Sequence, residues 1–103
     1  DDLPAMFRPL QALENRAPDT HYVNVIATYP AFRRQGVATC LLAEAERQAA
    51  GRGLSLIVAD RNLPARRAYA AFGFVDAAAE RIVEQGGWRS QSRDWVLMLK
   101  PPA

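Results

Sequence analysis

The hydrophobic residues in the first part of the chain change from a helical to an extended spacing. Met6, Leu10 and Leu13 recur every three or four residues, so we expect a helix from Leu3 to Asn15. The following segment, Tyr22 to Thr28, is rich in β-branched and aromatic residues, which predicts a strand.

Helical and extended patterns continue to alternate in the rest of the chain. A helix with one apolar stripe is predicted from about Val37 to Ala50, and a third helix from Pro64 to Gly73. Between them, the apolar run Leu54 to Ala59 is typical of a strand that is covered on both faces. Two last strands, Arg81 to Gln85 and Trp95 to Lys100, would form an antiparallel pair. This order predicts an α/β fold (α+β in some classifications) with a mixed sheet.

Composition restricts the classes of function. The 103 residues suit one domain, and half of them are apolar, which argues against disorder. The net charge is only +2 and no basic run occurs, so we expect no nucleic-acid partner. No apolar run is long enough for a membrane span. Cys40 is the only cysteine, which fits a reducing, cytoplasmic location, and its place inside a predicted helix suggests that it is packed in the core.

The loop between the first strand and the second helix has features of an anion site. Gly36 has no Cβ, Ala38 is small, and both lie where the first turn of a helix leaves backbone N–H groups unpaired. Such a helix start carries the positive end of the dipole and binds pyrophosphate well, and Arg33 and Arg34 add positive charge. The loop by itself is explained equally well by a Gly36 that only shapes a tight turn.

Two motifs make the chain resemble a known family. Arg33-x-x-Gly36-x-Ala38 matches the Gln/Arg-x-x-Gly-x-Gly/Ala signature of the GNAT N-acetyltransferases, and residues 62–74 match their Asn-x-x-Ala-x-x-x-Tyr-x-x-x-Gly-Phe segment. The resemblance extends from Tyr22 to Phe74 and implies a GNAT fold, in which acetyl-CoA lies between two parallel strands that splay apart. No metal site is implied.

The resemblance also implies which part of that fold is present. The family's first three strands and two helices are not found ahead of Tyr22, so we expect residues 1–103 to be a single, partial GNAT domain, the C-terminal portion of the fold. An unpaired sheet edge favours pairing with another strand. We therefore expect a homo-oligomer, a dimer, formed through that edge or through the last strand.

The family's coenzyme site is carried over to this chain residue by residue. Backbone atoms of Ile26, Ala27 and Thr28 would pair with the pantetheine arm. The pyrophosphate would be held at the helix start by Arg33, Arg34, Gln35, Gly36, Val37, Ala38 and Thr39. Asn62 and Ala65 would contact the coenzyme arm, and Tyr69 would direct its hydroxyl at the thioester sulfur. Two of these residues have ordinary alternatives, because Asn62 is also suited to capping the third helix and Tyr69 to packing in a core.

The general base is the point at which the chain departs from the family. Many members carry a Glu on the first splayed strand, whereas this chain has His21-Tyr22-Val23-Asn24. The ordinary pKa of histidine, near 6.5, makes His21 a candidate base. A water held by Asn24 and the backbone, or a residue outside this chain, is an equal alternative, and His21 could simply be a surface residue.

The implied reaction is direct transfer of an acetyl group from acetyl-CoA to the amine of a small molecule or peptide. Four residues near the end of the chain could shape an acceptor pocket or could be core anchors and solvated charges: Trp88, Arg89, Arg93 and Trp95. A second hypothesis is a non-catalytic acyl-CoA-binding or sensing module, which the missing carboxylate favours. A nucleic-acid-binding domain is the third and is opposed by the lack of a basic cluster.

Overall fold

The computed structural model describes residues 4–23 and 35–102, and of residues 35–39 the backbone alone. In chain order the elements are a 3-10 turn (Ala5–Phe7), α1 (Arg8–Glu14), β1 (His21–Tyr22), α2 (Gln35–Gln48), β2 (Leu54–Ala59), α3 (Leu63–Phe72), β3 (Val75–Arg81) and β4 (Asp94–Lys100). No helix in these ranges is long and apolar enough to cross a membrane.

The strands form one mixed sheet in the order β1-β2-β4-β3. β1 and β2 are parallel, whereas β4 is antiparallel to both of its neighbours. This arrangement confirms the predicted mixed α/β sheet and its parallel pair; the expected splay of that pair past Val23 lies outside the described residues. The last strand, β4, is in the interior of the sheet with a partner on each side. The expectation that a dimer could form through the last strand is therefore wrong, because its backbone groups are already paired.

Helices cover the two faces of the sheet, and β2 explains how the core divides. Successive side chains of a strand point to opposite faces. Leu54, Leu56 and Val58 consequently share one face and pack with α2 and α3. Ser55 lies on the other face, toward α1, whose Leu13 is fully buried. Coverage on both faces is why the strand reads as a continuous apolar run, as the sequence predicts.

The ends of α3 follow from two residues. Asn62 accepts a hydrogen bond from the backbone N–H of Ala65 and so caps the first turn. Gly73 ends the helix with φ +119°, a conformation that glycine adopts without a steric penalty, and its N–H donates to the carbonyl of Tyr69. The sequence correctly predicts α3 and β2, and it places α2 within two residues of each observed end.

The predicted strand at Arg81 to Gln85 is wrong. The partner of β4 is β3, Val75–Arg81, which follows α3 almost immediately and pairs from Val75 with Leu99 to Arg81 with Asp94, with a register shift between Asp76 and Ala78. β3 contains three successive alanines, which have little strand propensity, so its sequence is not typical of a strand. Pairing with the apolar strand β4 overrides that local preference.

Candidate functional site

The backbone of α2 begins where the sequence predicts an anion-binding helix start. The helix begins at Gln35, so Gly36 and Ala38 lie in its first turn, whose N–H groups have no partners within the helix. No acidic residue lies in that turn to oppose an anion. Of the predicted pyrophosphate residues, Gln35, Gly36, Val37, Ala38 and Thr39 are in this turn or directly follow it. Ile26, Ala27, Thr28, Arg33 and Arg34 lie outside the described residues.

At the start of α3, the capping role predicted as an alternative for Asn62 is confirmed. Its Oδ1 lies 3.4 Å from the backbone nitrogen of Ala65, and its own N–H donates to the carbonyl of Ala59 at 3.0 Å. The cap engages the amide of Ala65, whose side chain packs against the core. The contact of Asn62 and Ala65 with a coenzyme stays a prediction.

Tyr69 is a buried residue of the core between α3, α2 and the sheet. It is 2% exposed, its ring centroid is 5.9 Å from that of Phe74, and Leu42 of α2 belongs to the same cluster. Burial raises the pKa of the Tyr69 hydroxyl above its ordinary value, because the phenolate would lose its hydration. At neutral pH the hydroxyl is therefore fully protonated and able to donate a hydrogen bond. The packing role that is the alternative for Tyr69 is observed, and its catalytic role stays a prediction.

The sheet places His21 on the same face as Tyr69. His21 is half-buried, its N–H donates to the carbonyl of Gly53 at 2.8 Å, and it is in register with Leu54. Residues opposite each other in paired strands project to the same face, and the face of Leu54 is the one covered by α2 and α3. The fold thus brings the proposed acid and the proposed base to one side of the sheet.

The four Trp and Arg residues near the end of the chain do not form one cluster in the described contacts. Trp88 is exposed on the β3–β4 connection, where Arg89 faces Glu84 at 3.9 Å. Trp95 lies within β4, and its Nε1 is buried without a hydrogen-bond partner in the described part of the chain. Arg93 bonds through its backbone to Asp60. Arg89 and Arg93 are exposed, as the alternative of solvated charges expects. Trp88 is exposed and Trp95 only partly buried, so Trp88 is not a core anchor.

Two features were missed or misjudged from the sequence. Cys40 is exposed on α2, so the prediction that it packs in the core is wrong; it lies off the apolar stripe that carries Leu42 and Ala45. A polar pocket between α1 and the sheet was not predicted, because its residues Glu14, Thr20 and Ser55 come from separate parts of the sequence. The sequence signal that could have indicated this pocket was the alternation of side chains along β1.

A comparison with known protein families found a match over more than half of the chain. The model of the Acetyltransferase (GNAT) family matches residues 5–74, which are 70 of the 103 residues. That range includes α1 and every residue predicted for the site. A search of curated proteins found no match. With more than half of its length matched to the family model, this chain belongs to the GNAT acetyltransferase family.

Proposed function

We propose that this protein is an N-acetyltransferase that moves an acetyl group from acetyl-CoA to the amine of a small molecule or peptide by direct transfer. The observation that carries the proposal is the extent of the family match, residues 5–74, which contains the helix start of α2, Asn62, Tyr69 and His21. The described fold supports the proposal, because Tyr69 and His21 lie on the same face of the sheet.

In this proposal the start of α2 and the residues carried over from the family hold the coenzyme. The first turn of α2 offers unpaired N–H groups and no acidic side chain, which suits a pyrophosphate. Arg33 and Arg34 would add charge there, the backbone of Ile26, Ala27 and Thr28 would pair with pantetheine, and Asn62 and Ala65 would contact the arm. When bound, acetyl-CoA supplies the acetyl group as an activated thioester.

Tyr69 would act on the leaving sulfur. A tyrosine titrates near 10 and a thiol near 8.5, so complete proton transfer to the thiolate costs about 2 kcal/mol, and burial of Tyr69 raises that cost. The hydroxyl therefore serves better as a hydrogen-bond donor than as a full proton donor. Tyr69→Phe, which keeps the ring packing with Phe74, should lower kcat by roughly 10²- to 10³-fold and leave acetyl-CoA affinity almost unchanged. An unchanged kcat would remove Tyr69 from the mechanism.

His21 would accept the proton of the amine. An alkyl ammonium with a pKa near 10.4 is rarely neutral at pH 7, so a base is needed for such an acceptor, whereas an α-amine near 8 needs little help. His21→Gln should therefore slow acetylation of an alkylamine much more than that of an α-amine. Equal effects on the two amines would favour a bound water as the base.

The coenzyme site is best tested by titration calorimetry with a charge placed at either end of α2. Gln35→Glu adds a carboxylate at the helix start, where it repels a pyrophosphate but favours the helix dipole, so lost binding cannot be attributed to loss of the helix. We expect acetyl-CoA to bind at least about tenfold more weakly to this variant. Gln48→Glu, at the other end of the same helix, is the matched control and should bind normally.

Amine-dependent release of free thiol then separates the two functions that remain. Thiol release that requires both acetyl-CoA and an amine supports the transferase. Normal acetyl-CoA binding without release across an amine library would instead support the non-catalytic acyl-CoA-binding module.

A further inference from the structure

The turn between β2 and α3 is fastened to the start of β4. It comprises residues 60–62, and we call it the β2–α3 turn. The backbone N–H of Asp60 donates to the carbonyl of Asp94 at 2.9 Å, and Oδ1 of Asp60 accepts from the N–H of Arg93 at 3.2 Å. These two bonds fix the end of the turn that leaves the sheet.

Arg66 fastens the same turn from the side of α3. Its Nη1 donates to the carbonyl of Asp60 at 3.0 Å, and its Nη2 donates to Oδ2 of Asp76 on β3 at 2.6 Å. The Arg66 side chain is only 26% exposed, so both contacts are partly shielded from water, and the planar guanidinium makes them together. One side chain therefore connects the end of β2, the start of α3 and the edge strand β3.

The place of Arg66 in α3 is unfavourable without these contacts. α3 begins at Leu63, so Arg66 lies in its first turn, where the helix dipole disfavours a cation. The carbonyl of Asp60 and the carboxylate of Asp76 offset that cost, because hydrogen bonds to a charged donor are strong. The next residue, Arg67, is exposed and forms no ion pair in the described part of the chain.

The residue that these contacts hold in place is Asn62. Its Oδ1 accepts from the N–H of Ala65, and its carbonyl accepts from the backbone N–H of Arg66 at 3.0 Å. The Nδ2 group of Asn62 is then left to donate to a ligand, and the amide carbonyls of a pantetheine arm are suitable acceptors. The direction of that donor depends on the turn backbone, which Asp60 and Arg66 fix on either side of Asn62.

We propose that Arg66 is a positioning residue, which holds the β2–α3 turn so that Asn62 presents its amide group to the coenzyme arm. The inference rests on the proposed function, because the arm is that of acetyl-CoA. Arg66 touches neither coenzyme nor acceptor in this assignment and acts through Asp60 and Asn62.

The first test is the affinity of Arg66→Met for acetyl-CoA, measured by titration calorimetry. Methionine has a helix propensity close to that of arginine, and its neutral side chain removes the unfavourable charge at the helix start, so weaker binding cannot be attributed to loss of the helix. We expect acetyl-CoA to bind about fivefold more weakly, the effect of one lost hydrogen bond. Unchanged affinity would overturn the role of Arg66 and leave the coenzyme site standing.

Arg67→Met is the matched control. It removes the same charge from the same helix at the adjacent, exposed residue, and it should bind acetyl-CoA as the wild-type chain does. An equal loss in Arg66→Met and Arg67→Met would show that only positive charge near the anionic coenzyme matters, and would overturn the proposal.

Arg66→Lys keeps the charge but replaces the planar fork with a compact ammonium group. It should satisfy one of the two acceptors and bind acetyl-CoA with an affinity between those of Arg66→Met and the wild-type chain. If Arg66→Met does not fold, Arg66→Lys decides the test, since wild-type affinity in this variant would overturn the role.

Amide hydrogen exchange in the absence of coenzyme measures the positioning itself. The amides of Ala65 and Arg66, which are bonded to Asn62, should exchange faster in Arg66→Met than in Arg67→Met, whereas the amide of Leu97 in the middle of β4 should exchange at the wild-type rate. A residue that only stabilised the fold would speed exchange at all three amides. That result, or no change at Ala65 and Arg66, would overturn the proposal.

Kinetics with an amine acceptor then locates the effect. Arg66→Met should raise the KM for acetyl-CoA about fivefold with little change in kcat, because the lost interaction serves binding. A fall in kcat with an unchanged KM would place the effect at Tyr69 and overturn the role assigned to Arg66. A wild-type chain that binds no acetyl-CoA would overturn the proposed function and this role together, whereas wild-type binding that is insensitive to Arg66→Met overturns the role of Arg66 alone.

Discussion

The ammonium group of Lys100 lies 2.5 Å from the carboxylate of Glu46, which connects the end of β4 to α2. The same ammonium is 5.6 Å from the ring centroid of Phe72 at the end of α3, and Lys100 is in register with Leu54 at the start of β2. One side chain thus contacts both helices on the face that carries the proposed coenzyme site.

Loss of this ion pair should destabilise the fold more than loss of a surface pair. The side chains of Lys100 and Glu46 are only 15% and 33% exposed, so Lys100→Met leaves a partly desolvated carboxylate without a partner. We expect the free energy of unfolding to fall by about 1–3 kcal/mol, between the values typical of exposed and buried pairs. Urea denaturation measures this loss.

A matched control for that measurement is the pair of Arg81 and Asp94, whose side chains are 68% and 39% exposed. Arg81→Met should cost less than about 1 kcal/mol. Adding Glu46→Gln to Lys100→Met should recover part of the loss, since no unpaired charge remains. If Lys100→Met and Arg81→Met lower the free energy of unfolding equally, burial of the Lys100 pair contributes nothing to stability.

Gly53 is required by a close approach of two backbones. A Cβ at this position would lie 2.8 Å from the backbone oxygen of Lys100, so Gly53→Ala must push β4 away or shift the strand start. We expect a loss of about 1–3 kcal/mol in unfolding free energy. The carbonyl of Gly53 accepts from His21, so the His21 amide should also exchange faster with solvent.

Gly86→Ala is the control for Gly53→Ala, because a Cβ at Gly86 meets no atom within 4 Å and only its φ of +65° is strained. It should cost about 1 kcal/mol without altering exchange at His21. If Gly53→Ala is no more costly than this control and leaves His21 protected, the close approach to Lys100 is not a constraint.

Stability should decrease at alkaline pH through Tyr22 and Tyr69. Burial raises the pKa of both hydroxyls in the folded protein, so the unfolded chain loses these protons first as the pH rises. Their contribution is fully present below about pH 10, the unfolded value, and is lost as the pH rises through the raised pKa. Urea denaturation between pH 8 and 11 measures the slope, which Tyr69→Phe should reduce.

The informative quantity is the difference in slope between the wild-type chain and each tyrosine variant, because the rest of the chain contributes equally to all of these slopes. Tyr22→Phe should reduce the slope independently of Tyr69→Phe, because the two rings lie on opposite faces of the sheet. Identical slopes in all three proteins would show that neither buried hydroxyl is linked to folding in this range.

We predict self-association through a sheet edge. β1 and β3 occupy the two edges of the described sheet, and Val75 on β3 is 60% exposed. An exposed edge that carries an apolar side chain favours pairing with a second chain. Sedimentation should show a dimer, and Val75→Lys should shift the equilibrium toward monomer if β3 is the edge used.

Leu63→Lys is the control for self-association, because Leu63 is 49% exposed at the start of α3 and does not belong to an edge strand. It should leave the dimer intact. A wild-type chain that stays monomeric over a wide concentration range would contradict self-association, and a dimer insensitive to Val75→Lys would assign it to the β1 edge.

Local sequence determined the elements whose signals are contained within a few residues. The helical spacing in α1 and α2, the apolar run of β2, and the cap and stop of α3 at Asn62 and Gly73 are all short-range features that depend on backbone preference and on neighbouring residues. The family motifs are also local, and the family model matches the range that contains them.

Tertiary structure decided the features that join distant residues. β3 forms from a sequence with little strand character because β4 supplies its partner, and Glu46 meets Lys100 across 54 positions of sequence. The polar pocket between α1 and the sheet depends in the same way on the contact of Thr20 with Ser55, 35 residues apart. No local propensity encodes such contacts, because they arise only when strand pairing fixes the register and so assigns each side chain to a face of the sheet.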